Sequence, residues 1–411
     1  MGVLCKRGEA YTPFGKLLGP CTIETVLHNK ERVKDMKRVL TATTAIVGMS
    51  FAATAAQAEE PISIGLSGFM NVYYGFGGQD DDITGEDSDT RYHLQDATIN
   101  FSGSTTLDNG LEVGTRFELE SFGHPADEQY IYFKGSFGNL TVGSHNSVAY
   151  SMSFLASGHH YTAGIPINTG WINYLVMGGS GGQVQEFSAR EPGFSTFLDT
   201  HNDSMTVSYQ TPRFAGFKFG ASWSPNAGQS EGETQFGPTA TDTQYHDSLS
   251  AAVNYTNSFG AATINAAAGL NYAQAGDDQL AQNGTSADDV AQYMGGLNVG
   301  FGGFNVGGNI GIQDSEDSGV RFERNDGTAW SLGAGYSTGP WSAAVDYGNF
   351  ETEGLVANPD DDQTQAVKFG VDYAMGPGIK LSGTIAHAWR DEEGGAEADG
   401  TSGVLGTTVT F

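Results

Sequence analysis

The chain of 411 residues carries 48 Asp plus Glu against 19 Lys plus Arg, a formal net charge of −29. It therefore lacks the basic footprint that a nucleic-acid binder needs to neutralise phosphates. Hydrophobic residues make up 38% and aromatics 11%, too many for a disordered acidic chain, while the 59 Gly are about twice the usual share of roughly 7% and argue against a helical protein.

Residues 1–35 precede a complete export signal and read as a misassigned start or an N-terminal extension. From Met36, Lys37-Arg38 is followed by an apolar run from Val39 to Ala55, then by Ala56-Gln57-Ala58 before Glu59-Glu60. A basic segment, an apolar segment and an A-x-A site make residues 36–58 a secretory signal peptide for the Sec pathway. A single spanning helix is the alternative, against which stand the interrupting Thr and Ser residues and the lack of a stop-transfer charge. Cys5 and Cys21 both lie upstream of the cleavage site. The mature part, a single domain over 59–411, then has no disulfide, and its stability must come from its sheet.

Beyond Ala58 the recurring pattern is alternation, not a helical period. In the first run Ile62, Ile64, Leu66, Met70, Val72, Tyr74 and Phe76 share one face, and Ser63, Gly65, Ser67, Asn71 and Gly75 the other. Leu111, Val113, Thr115, Phe117 and Leu119 repeat it against Glu112, Gly114, Arg116, Glu118 and Glu120. Sixteen such runs begin near residues 62, 92, 111, 129, 140, 204, 216, 248, 261, 292, 304, 329, 341, 365, 379 and 404. Short connections rich in Gly and Asn, such as Leu107-Asp108-Asn109-Gly110, alternate with long polar ones. This spacing predicts an all-β fold, a 16-stranded antiparallel transmembrane β-barrel. A soluble β-sandwich also alternates. Against it stand aromatic residues at the strand ends (Tyr73, Tyr74, Tyr209, Trp223, Tyr255, Tyr272, Trp330, Tyr336, Trp341, Tyr373 and Trp389), which suit interfacial girdles.

The eight long connections span 77–91, 121–128, 145–203, 224–247, 273–290, 313–328, 350–365 and 390–402. They hold 35 of the 44 acidic residues after Ala58 and only five basic ones, Arg91, Arg190, Arg321, Arg324 and Arg390. One rim is thus expected to carry nearly all the negative charge.

The mature sequence resembles the general porins of Gram-negative bacteria, of alphaproteobacterial type. The resemblance rests on Ile62-Ser63-Ile64-Gly65-Leu66-Ser67-Gly68, on the hairpin Tyr130 to Gly143 before the third loop, on Asn202 to Phe217, and on the end Leu405 to Phe411. It implies a homotrimer of water-filled barrels in the cell outer membrane, among its lipids and lipopolysaccharide. It also implies a third loop folded inward to narrow each pore, and makes Phe411 the terminal aromatic read by the barrel-assembly machinery. Here the third connection carries Glu186, Arg190, Glu191 and Asp199, among which the family's constriction acids are sought. The chain departs from the family after Gly143, where Ser144 and His145 replace a frequent Arg.

The polar faces nominate Asp96, Glu112, Arg116, Glu118, Glu120, Lys134, Lys218, Asp346, Lys368, Asp372, Lys380 and Arg390 as lumen residues. Of these, Asp96, Arg116, Glu118, Asp346 and Lys368 are mid-barrel. An acidic rim over a near-neutral wall predicts passive diffusion of small hydrophilic solutes and ions with modest cation selectivity. The acidic clusters Asp80-Asp81-Asp82, Asp360-Asp361-Asp362 and Asp391-Glu392-Glu393 are oxygen-rich candidates for Ca²⁺ or Mg²⁺, without EF-hand spacing; otherwise they are solvated loop charge, and no cofactor is expected. Gly178-Gly179-Ser180-Gly181-Gly182 fits G-x-S-x-G by letter but lacks the strand and helix of a nucleophile elbow, and His159-His160 lacks metal-ligand spacing. The chain is read as no enzyme; a barrel enzyme would need Ser and His facing outward, for which His387 is the candidate. The remaining alternatives are a substrate-selective channel and a loop-mediated binding or receptor barrel.

Overall fold

The computed structural model describes residues 62–81, 88–120, 126–154, 203–227, 245–275, 289–315, 327–352, 362–392 and 396–411. All belong to the unit Gln57–Phe411. The predicted signal segment, Cys5, Cys21, His159-His160 and the Gly178–Gly182 run lie outside the described residues.

The chain forms 16 strands. The first eight are β1 (Ser63–Asp81), β2 (Ser88–Thr106), β3 (Glu112–Glu120), β4 (Gln129–Gly135), β5 (Gly138–Ser144), β6 (Met205–Gln210), β7 (Phe217–Asn226) and β8 (His246–Phe259). The second eight are β9 (Ala262–Gln274), β10 (Val290–Phe301), β11 (Phe304–Ser315), β12 (Gly327–Thr338), β13 (Trp341–Thr352), β14 (Asp362–Gly376), β15 (Ile379–Glu392) and β16 (Ala396–Thr410). Each pairs antiparallel with its sequence neighbours, and β16 returns to β1 to close the barrel. Closure gives every strand two partners, which removes the exposed edges of an open sheet. Ser63–Ser67 run past the end of β16 and pair with β2 alone, while Gly68 and Phe411 exchange backbone hydrogen bonds at 3.0 Å.

The usual relation between polarity and burial is inverted. Outward Ile64 is 82% exposed, whereas inward Asn271 is 1% exposed. Along the wall the outward positions carry Leu66, Phe101, Phe219, Leu297, Val306 and Leu332, all exposed, and the inward ones Ser222, Ser250, Gln292, Asn298 and Ser382, all buried. An apolar outer face makes sense only where hydrocarbon covers it. Aromatic pairs ring the short-turn end: Phe217–Tyr255 at 4.7 Å between centroids, Phe304–Tyr336 at 4.4 Å and Trp341–Tyr373 at 4.6 Å. Trp330–Tyr347 at 5.4 Å marks the other end.

The short turns use backbone chemistry visible in their letters. Gly110 holds φ at +79° and donates to the Leu107 carbonyl at 2.8 Å, while the Asn109 side chain accepts from the Leu111 amide at 3.0 Å. Only glycine takes that φ without a Cβ penalty.

Three expectations need correction. Tyr73 is not part of a girdle: it faces inward, is 4% exposed, and its hydroxyl lies 3.2 Å from Thr408 Oγ1. The connections expected at 77–91 and 390–402 are largely strand, since β1 reaches Asp81, β2 starts at Ser88, β15 ends at Glu392 and β16 starts at Ala396. Above a membrane both faces are wet, so the ladder continues where alternation stops. Asp80 and Asp81 are accordingly consecutive positions of β1 in register with Asp399 and Ala398, not neighbours on a loop; Asp82 lies outside the described residues.

Candidate functional site

The inner wall is assigned by register, because cross-strand partners share a face. Most of its charges fall in two sectors and form four ion pairs there; Lys218, on β7 between the sectors, donates instead to Gln210 Oε1 at 2.7 Å. On β3 and β4, Lys134 Nζ lies 3.3 Å from Glu112 Oε2, and Tyr132 donates its hydroxyl to Glu112 Oε1 at 3.0 Å. Arg116 donates from Nε to Asn100 Oδ1 at 2.8 Å and forms an ion pair with Glu118. On β13 to β15, Lys368 Nζ lies 3.5 Å from Asp346 Oδ2, and Lys380 Nζ 3.1 Å from Asp372 Oδ2.

These pairs differ in weight. Arg116–Glu118 and Lys134–Glu112 are partly open to water and contribute little stability. Lys368 and Asp346 are 1% and 4% exposed. Their charges cancel at a buried contact, where removing one partner leaves the other uncompensated. Within the four pairs the charges cancel, while Glu120, in register with buried Thr98, stands outside them. The sequence nominated Arg116, Glu118, Asp346 and Lys368 one by one; the fold brings them together as two ion pairs on separate sectors. Asp96 lies on β2 in register with Asn71, an inward position.

Between the sectors, the inward positions of β9 to β12 hold no charged residue and carry Asn, Gln, Ser, Thr, Ala and Gly, with Met294 and Val290. Amides link across strands: Asn271 donates to Gln292 at 3.3 Å, Gln292 donates to Gln313 at 2.8 Å, and Asn305 donates to Asn298 at 2.9 Å. Amide side chains both donate and accept, so these cross-strand links need no ions.

The root of the third connection lies against this wall. His145 packs edge-on to Tyr130 at 5.7 Å, with Nε2 3.3 Å from Ser208 Oγ. A short helix α1 (Val148–Ser151) follows, N-capped by Ser147, whose hydroxyl accepts from the Tyr150 amide. The first amides of a helix have no internal partner; here Val148 donates to Ser222 Oγ at 3.2 Å and Ala149 to Ser250 Oγ at 3.0 Å. Asn254 then donates to the Met152 carbonyl at 3.3 Å, and Asn309 to that of Phe154. Glycines make the room: a Cβ on Gly269 would stand 2.8 Å from that of Ala149, and one on Gly296 3.0 Å from the Phe154 oxygen. Sequence reasoning missed these docking residues, although inward Ser and Gly on adjacent strands were the available signal. Glu186, Arg190, Glu191 and Asp199 lie outside the described residues.

On the outer face His387 lies with Nδ1 2.7 Å from Thr401 Oγ1 and Nε2 3.9 Å from Asp399. Among the described residues no group of three or more potential metal ligands occurs.

A family model described as Gram-negative porin matches residues 42–393. Among solved structures, an anion-selective porin from Comamonas acidovorans is similar at a TM-score of 0.55 and 15% identity, covering 85% of this chain and 100% of that one. The outer-membrane channel DcaP of Acinetobacter baumannii gives 0.56 and 14%, covering 87% and 100%. Salmonella typhi OmpF, in complex with daunomycin, gives 0.58 and 12%, covering 85% and 97%. No curated protein sequence matches the chain. At these identities the structural likeness is one of fold.

Proposed function

Because the chain belongs to the Gram-negative porin family and is thereby an outer-membrane channel, we propose that it is a general pore for passive diffusion of small hydrophilic solutes and ions. The observation that carries this is the inner wall: polar, glycine-rich and with most of its charges in ion pairs, with no ordered track for one solute among the described residues. The third connection, rooted on β7 to β11, is proposed to narrow the lumen with Glu186, Arg190, Glu191 and Asp199. The working unit is proposed to be a homotrimer.

Wall charges held in ion pairs set little of the selectivity, so its sign falls to the long connections, where acids outnumber bases. This supports modest cation preference. The fold itself is neutral on the point, as the Comamonas relative is anion-selective. Planar-bilayer recording on the purified protein tests both parts. Triplet steps of closure and a reversal potential favouring potassium over chloride are expected; a chloride preference would refute the selectivity, and absence of conductance the pore. Liposome swelling that falls smoothly with sugar mass separates a general pore from a selective channel.

A further inference from the structure

The root of the third connection is held at both ends of α1. Ser222 and Ser250 take its first amides, and its last carbonyls need partners of their own, because a helix leaves those unbonded as well. The carbonyl of Met152, the C-cap residue, accepts from Asn254 Nδ2 at 3.3 Å. Met152 is buried and lies flat on β7, where a Cβ on Gly220 would stand 2.6 Å from its Sδ. Asn254 is buried too, on β8 in register with inward Lys218.

The partner that orients Asn254 comes from the short-turn end. Between β6 and β7 the chain reverses at Ala215-Gly216, with φ at +49° and +89° and two backbone hydrogen bonds of 2.8 Å between Phe214 and Phe217. Positive φ at both central residues is the tight hairpin turn whose twist suits the flanking strands. Its Gly216 carbonyl accepts from Arg213 Nη1 at 2.6 Å, and Arg213 Nη2 donates to Asn254 Oδ1 at 2.8 Å. The turn that carries the guanidinium therefore also aims it. An amide fits the same space either way round, and Arg213 decides between the two. A guanidinium only donates, so it takes the Oδ1 end and leaves Nδ2 facing the Met152 carbonyl. The reversed amide would set donor against donor at Arg213 and acceptor against acceptor at Met152.

We infer that Arg213 is a positioning residue for the third connection, acting through Asn254. A turn at one mouth of the barrel thus fixes where and in which direction the chain leaves the wall after Met152. The inference rests on the proposed narrowing role only for its effect on current.

The test is a nitroxide label on Ser151→Cys, an exposed position of α1, in the full chain with Cys5 and Cys21 replaced by Ser. Electron paramagnetic resonance should show a restricted label. Arg213→Met removes the donors and should raise the ratio of mobile to restricted label about tenfold, the equivalent of roughly 1.4 kcal/mol. Arg213→Lys, again a pure donor, should restore the restricted spectrum. Lys218→Met removes a cation in register with Asn254 but bonded to Gln210, and should leave the label restricted. Adding Arg213→Met to Asn254→Ala should change nothing further. A restricted label in Arg213→Met overturns the inference, as does an equal rise in Lys218→Met or additive effects in the double variant. Heat-modifiable mobility establishes folding. Should Arg213→Met not fold, Asn254→Asp replaces it, keeping an acceptor for Arg213 while turning an oxygen toward the Met152 carbonyl; a mobile label supports the inference and a restricted one overturns it. Single-channel records of the same proteins separate the two readings: a mobile label with unaltered current supports the positioning role and counts against narrowing by the third connection.

Discussion

Lys368 and Asp346 are neighbours across β13 and β14, both buried and 3.5 Å apart. Lys368→Met should destabilise the barrel by about 3–5 kcal/mol, because it strands a buried carboxylate. Adding Asp346→Asn should recover most of that loss, as measured by the urea midpoint of unfolding from lipid vesicles. Arg116 behaves differently, being half open to water. Arg116→Gln leaves Glu118 unpaired on the wall and should raise the cation-to-anion permeability ratio. The rise is bounded at about thirtyfold, since losing one unit charge at 4 Å in water shifts a cation and an anion by roughly 1 kcal/mol each in opposite directions. Reversal potentials of the two proteins at equal salt check it. Arg116 and Glu118, two positions apart on β3, already share a face by alternation. The Lys368–Asp346 pairing was not visible, because it depends on cross-strand register, which the alternation of one strand does not contain.

Among the elements, α1 and the residues after it hang on wall side chains of β7, β8 and β11. Replacing Ser222 and Ser250 together by Ala leaves two buried amides without acceptors, a cost of about 1–3 kcal/mol each. Such a loosened root should show as more frequent sub-conductance steps in single-channel records, with strand content by circular dichroism unchanged. The strands themselves were legible throughout, because lipid on one side and water on the other impose a period of two. The same physics set the limit of legibility. Past Phe76 water meets both faces, the pattern fades, and β1 continues unseen to Asp81. Tyr73 was misplaced for a related reason: its neighbour Tyr74 does face outward and is exposed, and two adjacent tyrosines cannot share a face. For the candidate site, the sequence gives the inward charges but not the Ser and Gly positions that dock the third connection, whose role depends on what packs against them.

For the whole molecule, charge is sorted between strands and connections. The described wall pairs most of its charges, while the long connections hold most of the acids. Selectivity drawn from a distant rim must fade with screening. Raising the salt from 0.1 M to 1 M shortens the Debye length from about 10 Å to about 3 Å, and the permeability ratio should approach unity. A ratio constant over that range would move the selecting charges into the narrow part of the pore.

The seam between β1 and β16 joins the two ends of the domain: Tyr73 and Thr408 touch across 335 positions of sequence. Contacts of such separation bear the largest loop-closure entropy and form slowly. Until they form, fifteen ordered strands are still an open sheet with two unsatisfied edges, ready to pair with another chain. The last strand is therefore a commitment step: a chain that loses it loses closure itself, and with it the distinction between a channel and an aggregate.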